Sequence, residues 1–238
     1  MKLRLDIRML AVAAAVVFGL PSPNLTTSGA AFAVPANEIT IPAAKDPNLA
    51  EGVKYQDSPA YRTEVAQLVE RVKAICKPHI GESNVAVIFD IDETLLDNRE
   101  EFRRRLASEQ KEQEGWWRQA WWDKWVREAR APAIPETAEL ARWLKDNHFN
   151  IFLITGRNSL QYSATESNLL KEQIPFDELF TKPVDYRGRA EDYKTDCRRL
   201  LEARGFKILC NIGDQYSDLY GLHSEYCEKM PNKMYFIP

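Results

Sequence analysis

Val85-Ala86-Val87-Ile88-Phe89-Asp90-Ile91-Asp92-Glu93-Thr94-Leu95-Leu96-Asp97-Asn98 decides how the rest of the chain is read. Five apolar residues, three of them β-branched, run without interruption into two aspartates separated by one residue. A run of this kind, ended by a polar cluster, predicts a strand buried in a parallel sheet. Open α/β sheets bind ligands at the carboxyl ends of such strands. Asp90 and Asp92 are therefore expected together at a binding edge. Two carboxylates that close repel, so they need a cation or a shared proton between them.

Two further stretches repeat the pattern. Asn150-Ile151-Phe152-Leu153-Ile154 runs into Thr155-Gly156-Arg157, and Ile208-Leu209-Cys210-Asn211-Ile212 runs into Gly213-Asp214-Gln215-Tyr216-Ser217-Asp218. Short strands are expected at Phe176–Phe180 and Met234–Ile237. Helices fall between the strands. Ser58-Pro59 reads as an N-cap and a first-turn proline, followed by Tyr61, Val65, Leu68, Val69, Val72 and Ile75 at helical spacing. Ala138, Leu140, Ala141, Trp143 and Leu144 mark another helix. Ser159 is expected to cap one running to about Gln173. Ala190–Arg204 forms the last, stopped by Gly205. Alternating strands and helices predict an α/β fold: a three-layer α/β/α, Rossmann-like parallel sheet. Residues 99–133 interrupt it directly after the first motif strand. They hold five of the chain's six tryptophans among many charges and are expected to form a small helical cap over the strand ends. Most of those rings are expected to make the cap's own core, with one or two left to stack on an aromatic substrate group.

The 238 residues suffice for one such domain. The first 33 are read apart from it. Lys2, Arg4 and Arg8 precede the mostly apolar Met9–Leu20, and Ala31-Phe32-Ala33 is an A-x-A cleavage pattern, so residues 1–33 are expected to be a signal peptide. The apolar run is short for a membrane span, which needs about 20 residues. No cysteine near the cleavage point could carry a lipid. The mature protein is thus expected to be secreted or periplasmic and free of the membrane. Residues 34–57 contain Pro35, Pro42 and Pro47, show no clear period, and read as an N-terminal tail. The domain proper is expected over residues 58–238. Removing residues 1–33 takes away three basic residues and one acidic one, shifting the formal charge from −3 to −5. A nucleic-acid polymer is a poor partner for that balance. Cys76, Cys197, Cys210 and Cys227 all lie in the mature part, where export permits disulfides. Their three full pairings stay open, and Cys210, inside an apolar strand, also reads as a buried thiol.

Parallel strands bring Asp90/Asp92, Thr155-Gly156 and Asp214/Asp218 to one edge. Oxygen ligands of that kind suit Mg2+. Histidine and cysteine are absent from the three clusters, which speaks against zinc. A bound phosphate would find the Thr155 hydroxyl, an unobstructed N–H at Gly156 and the ammonium of Lys194. Asp218 could equally cap a following helix, and Arg157 could form a structural ion pair.

Asp90-Ile91-Asp92-Glu93-Thr94 resembles the D-x-D-x-T nucleophile motif of the haloacid dehalogenase (HAD) superfamily. Thr155-Gly156-Arg157, Lys194 and Gly213-Asp214-x-x-x-Asp218 are similar to its second, third and fourth motifs, in order. Trp122 and Trp125, Tyr193-Lys194-Thr195 and the tail Pro231-Asn232-Lys233-Met234-Tyr235 look more narrowly like its secreted acid phosphatases, the bacterial class B/C and plant vegetative-storage-type group. The resemblance implies a hydrolase acting on small phosphomonoesters, nucleotides among them, through an aspartyl-phosphate. It implies Asp90 as nucleophile, Asp92 as acid/base, and Thr155, Gly156 and Lys194 as phosphate ligands. It implies Mg2+ held by Asp90, the backbone carbonyl of Asp92, and Asp214, with Asp218 close behind. A phosphotransferase, or a storage or phosphate-binding protein on the same scaffold, are the alternatives.

Overall fold

The computed structural model describes residues 33–40, 48–108 and 116–237, and for residues 116–118 the backbone alone. The expected signal peptide, up to residue 32, and the middle of the cap insertion lie outside the described residues. In chain order the elements are β1 (Val34–Pro35), α1 (Leu49–Gln56), α2 (Pro59–Cys76), β2 (Val85–Phe89), α3 (Arg99–Ala107), α4 (Trp116–Glu128) and α5 (Pro135–Asp146). They continue with β3 (Asn150–Asn158), α6 (Tyr162–Lys171), β4 (Glu178–Lys182), α7 (Ala190–Ala203), β5 (Lys207–Gly213), α8 (Tyr216–Leu219) and β6 (Tyr226–Lys229).

The strands form one sheet in the order β1-β6-β5-β2-β3-β4, parallel throughout except for β1, which runs antiparallel on β6. All five residues of β2 are buried. Val85, Val87 and Phe89 point to the face covered by α2 and α5, where they meet Leu68, Val72, Leu140 and Leu144. Ala86 and Ile88 point to the other face and meet Tyr193, Cys197 and Leu201 of α7. The strand is apolar at every position because helices cover both of its faces. This is the expected three-layer α/β/α arrangement. β2 lies between β5 and β3, so the sequence order reverses on either side of it. Asp90, one residue beyond β2, donates its N–H to the Ile212 carbonyl of β5 at 2.8 Å. The polar ends of the three central strands are thereby side by side.

Four local expectations are corrected. Residues 34–57 are not an extended tail throughout: Val34 and Pro35 pair with β6, and α1 is capped by the Asn48 side chain. Gly52 allows α1 to dock, since a Cβ there would lie 2.5 Å from the Lys233 carbonyl oxygen. The last strand is Tyr226–Lys229, not Met234–Ile237. Its charges hide it, because buried Glu228 takes two bonds from Arg71 of α2, at 2.8 and 2.9 Å. The Met234 stretch instead packs Met234 against Val53 and Phe102. Asn158 rather than Ser159 caps the turn before α6, its side chain accepting from Leu160 N–H at 3.0 Å. Trp125 joins the main core instead of a separate cap core, and its indole N–H donates to Asn98 at 2.7 Å. All four cysteines are buried free thiols.

Candidate active site

The loop after β2 is tight. Thr94, Leu95 and Leu96 N–H groups all donate to the Ile91 carbonyl, and Glu93 adopts φ +55°. A left-handed non-glycine residue costs about 1–3 kcal/mol and persists only where its surroundings fix it. Here Glu93 is fully buried, accepting from Asn98 N–H at 3.0 Å and from the Tyr235 hydroxyl at 2.5 Å. Burial, with Asp214 and Asp92 nearby, pushes its carboxyl well above the usual range.

Lys194, in the second turn of α7, reaches through the sheet edge. Its Nζ donates to Asp90 and to Asp218, each at 2.5 Å, and all three side chains are about 95% buried. Carboxylate oxygens of Asp90, Asp214 and Asp218 all lie within 4.8 Å of one another. Asp218 makes two contacts: one oxygen accepts from Gln215 N–H at 2.7 Å and so caps α8, while the other accepts from Lys194. The close turn depends on Gly213, where a Cβ would fall 2.4 Å from that of Asp218.

The Asp92 carboxylate points elsewhere. Arg157 grips it at 2.6 Å through one guanidinium nitrogen and at 3.1 Å through another, and Asn98 donates to it at 3.0 Å. Arg157 is itself buried, and its guanidinium carbon lies 5.7 Å from the ring centre of Trp122 in α4. Of the pair, Asp90 is thus in the acidic cluster and Asp92 is held beside it under the α4 helix. β3 does not stop at Ile154. It continues past Thr155 with a shift in register against β4 before Asn158. Thr155 is buried and accepts from Arg157 N–H at 3.1 Å, whereas Gly156 is exposed and a Cβ there would meet nothing within 4 Å.

Three buried carboxylates crowd two ammoniums, Lys194 between Asp90 and Asp218 and Lys229 on the Asp214 backbone carbonyl. Burial pushes Asp90 well above the carboxylate range despite Lys194, with Asp218 and Asp214 adding to the rise. Asp214 is pushed up to about 6, again by burial first and then by Asp218. An all-oxygen cluster with an excess of negative charge fits a hard divalent cation. The same shifts have a testable sign. A carboxyl that holds its proton more tightly folded than unfolded favours the folded state at low pH and loses that contribution as pH rises. Asp214 moves from 3.8 to about 6, so its contribution fades across that window, and Asp90 and Glu93 act in the same direction. Thermal unfolding without divalent cations is expected to show a Tm that declines with pH more steeply in the wild type than in Asp214→Asn. Equal slopes would contradict this.

Several participants are not singled out by the sequence: Glu93, Asn98, Gln215, Lys229, Asn232 and Tyr235. Gln215 and Asn232 each donate a side-chain N–H to Asp214 Oδ2 at 2.6 Å. Asn98 closes the motif stretch and Asn232 stands in the family-like tail, but neither position carries a pattern that assigns it a partner.

A doubly wound sheet that gathers three carboxylates and a lysine at its switch point has the fold of the HAD superfamily. Residues 18–238 match the family model for HAD superfamily, subfamily IIIB (Acid phosphatase), and the chain belongs to that family. It is 32% identical to "Acid phosphatase 1" of Solanum lycopersicum over 213 residues, 87% of this chain and 81% of the relative. It is 29% identical to the "Stem 28 kDa glycoprotein" of Glycine max, over 92% of this chain and 87% of that one. The class C acid phosphatase from Bacillus anthracis shares the fold with a TM-score of 0.65 at 21% identity, covering 79% of this chain and 84% of that one.

Proposed function

We propose that the chain is an exported, Mg2+-dependent acid phosphatase that hydrolyses small phosphomonoesters through a phosphoryl group carried on Asp90. The observation that carries this reading is the buried contact of Asp90 with Lys194, with Asp214 and Asp218 gathered around it. An Asp90 oxygen attacks phosphorus and the ester P–O bond breaks. Asp92 gives its proton to the departing alcohol oxygen. It then takes a proton from water as that water attacks phosphorus, the Asp90–phosphorus bond breaks, and inorganic phosphate leaves. Lys194, the Thr155 hydroxyl and the Gly156 N–H hold the phosphoryl oxygens, and the open space above Gly156 leaves room for them. Arg157 and Asn98 keep Asp92 at a fixed point throughout. Asp90, the Asp92 carbonyl, Asp214 and Asp218 would hold Mg2+, whose role is to neutralise charge on the phosphoryl group.

Phosphate release from p-nitrophenyl phosphate, at mildly acidic and at alkaline pH, with Mg2+ and then with excess chelator, tests the reading. Turnover that peaks at acidic pH and stops with chelator is expected. Chelator-insensitive turnover or an alkaline peak would contradict it. The same assay compares nucleoside monophosphates with aliphatic phosphates. Trp122, beside the Asp92–Arg157 pair, favours an aromatic leaving group, and equal kcat/KM for the two classes would remove that substrate reading. Added alcohol separates hydrolysis from phosphotransfer. A storage or phosphate-binding role stays as the second reading because the soybean relative carries a name without an activity; saturable turnover excludes it.

Export rests on the basic, apolar and A-x-A order of residues 1–33. Val34 opens β1, so removal of residues 1–33 spares every strand among the described residues. Among the described residues no helix is long and apolar enough to cross a membrane. The mature protein is expected to begin at Val34, and an intact mass that retains residues 1–33 would overturn this reading.

A further inference from the structure

The segment after β6, the family-like tail that begins at Pro231, returns to the acidic cluster. Met230 N–H donates to the Gly213 carbonyl at 2.8 Å and fixes the chain beside the end of β5. Two residues on, Asn232 donates Nδ2 to Asp214 Oδ2 at 2.6 Å. Its other amide atom, Oδ1, accepts from Met234 N–H at 2.7 Å. That second bond settles which way the amide points, because a backbone N–H can only donate. Gln215 is fixed in the same manner. Its Oε1 accepts from Ile237 N–H at 2.7 Å, and its Nε2 donates to Asp214 Oδ2 at 2.6 Å. Lys229 Nζ donates to the Asp214 backbone carbonyl. One carboxylate oxygen of Asp214 is thus saturated by two oriented amides, while Oδ1 has no hydrogen bond from the described residues. The tail is anchored at its far side as well, through the Tyr235 hydroxyl on Glu93 and the Tyr235 ring on Phe102, with ring centres 5.7 Å apart.

We infer that Asn232, together with Gln215, is a positioning residue of the cation site, holding the Asp214 carboxylate so that one oxygen stays available to a divalent cation. The C-terminal segment Pro231–Ile237 is then a working part of the site and not merely the end of the fold. The inference rests on the Mg2+ reading proposed above. Outer partners that orient a ligating carboxylate typically matter by 10- to 100-fold in metal affinity. Asn232 and Gln215 also line a cleft of about 660 Å³ bounded by Tyr55, Tyr216 and Phe236. Shortening Asn232 therefore enlarges an existing cavity instead of emptying a packed core.

The test is calorimetric titration of the chelator-treated mature protein with MgCl2, alongside its Tm without cations, for wild type, Asn232→Ala and Asn232→Ser. The expected result is an apparent Mg2+ affinity about 10- to 100-fold weaker in both variants. The cation-free Tm should stay within a few degrees of wild type, and phosphatase activity should be restored by raising Mg2+. Unchanged Mg2+ affinity in a folded variant overturns the inference while leaving the Mg2+ reading in place. Loss of the fold in both variants assigns Asn232 a structural role and overturns it too. A wild type that binds no Mg2+ overturns the Mg2+ reading and the inference together.

Discussion

Asp90→Asn is expected to abolish turnover, by about 10^4-fold or more in kcat, while the protein folds as before. The reasoning is geometric as well as chemical. Asparagine keeps the shape of the side chain and an oxygen that can accept from Lys194, but its amide cannot form the phosphoryl intermediate. Lys194 retains its second partner, Asp218 at 2.5 Å, so no buried ammonium is stranded. Removing the Asp90 charge also removes a buried carboxylate that burial and the nearby Asp218, Asp214 and Asp92 all disfavour. The cation-free variant should therefore melt at the same temperature as wild type or higher. Circular dichroism and a melting curve establish the fold, and phosphate release measures the loss. A folded Asp90→Asn protein with wild-type turnover would remove Asp90 from the mechanism.

Lys194→Ala is expected to differ in kind, because it damages stability and catalysis together. It leaves Asp90 and Asp218 buried without their shared cation. Removing one partner of a buried ion pair costs about 3–5 kcal/mol. The loss should be largest near neutral pH and smaller near pH 4–5, where the orphaned carboxyls take up protons. Activity should fall about 10²- to 10³-fold, the usual cost of deleting one donor that meets developing charge. Mg2+ affinity should not fall, since the variant removes a positive charge from the cation's surroundings. Unfolding curves at two pH values, with a Mg2+ titration, check all three expectations. An unchanged Tm at neutral pH, or weakened Mg2+ binding, would contradict the role given to Lys194.

The central sheet is legible in the sequence because β2, β3 and β5 are covered on both faces and therefore carry unbroken apolar runs. β6 is not legible for the opposite reason. Its buried position is occupied by Glu228, and the Arg71 that neutralises it lies 157 residues away. The convergence of Asp90, Lys194, Asp214 and Asp218 follows from strand order alone, once each motif is placed at the end of its strand or in the following helix. The destination of the Asp92 carboxylate does not. It depends on the short β3 extension that carries Arg157 past Thr155. The holders of the site are least legible of all. Glu93 and Tyr235 are separated by 142 residues, and Asp214 and Asn232 by 18. Amides and hydroxyls of that kind leave no periodicity, since their role is set by a single directional bond and not by a buried face. The cap rings show the same limit. Sequence marks them as a cluster, yet only the fold shows that Trp125 is buried against Asn98 and that Trp122 covers Arg157.

The most direct test of the account is to identify the phosphorylated residue. Wild-type protein mixed with substrate and Mg2+ is quenched in acid within the first turnovers, digested, and searched by mass spectrometry for a phosphoryl group. The account predicts it on Asp90, labile to hydroxylamine as an acyl-phosphate is, and absent from Asp90→Asn. A phosphoryl group on His79, His148 or His223, or sustained turnover by Asp90→Asn with no covalent species, would contradict it.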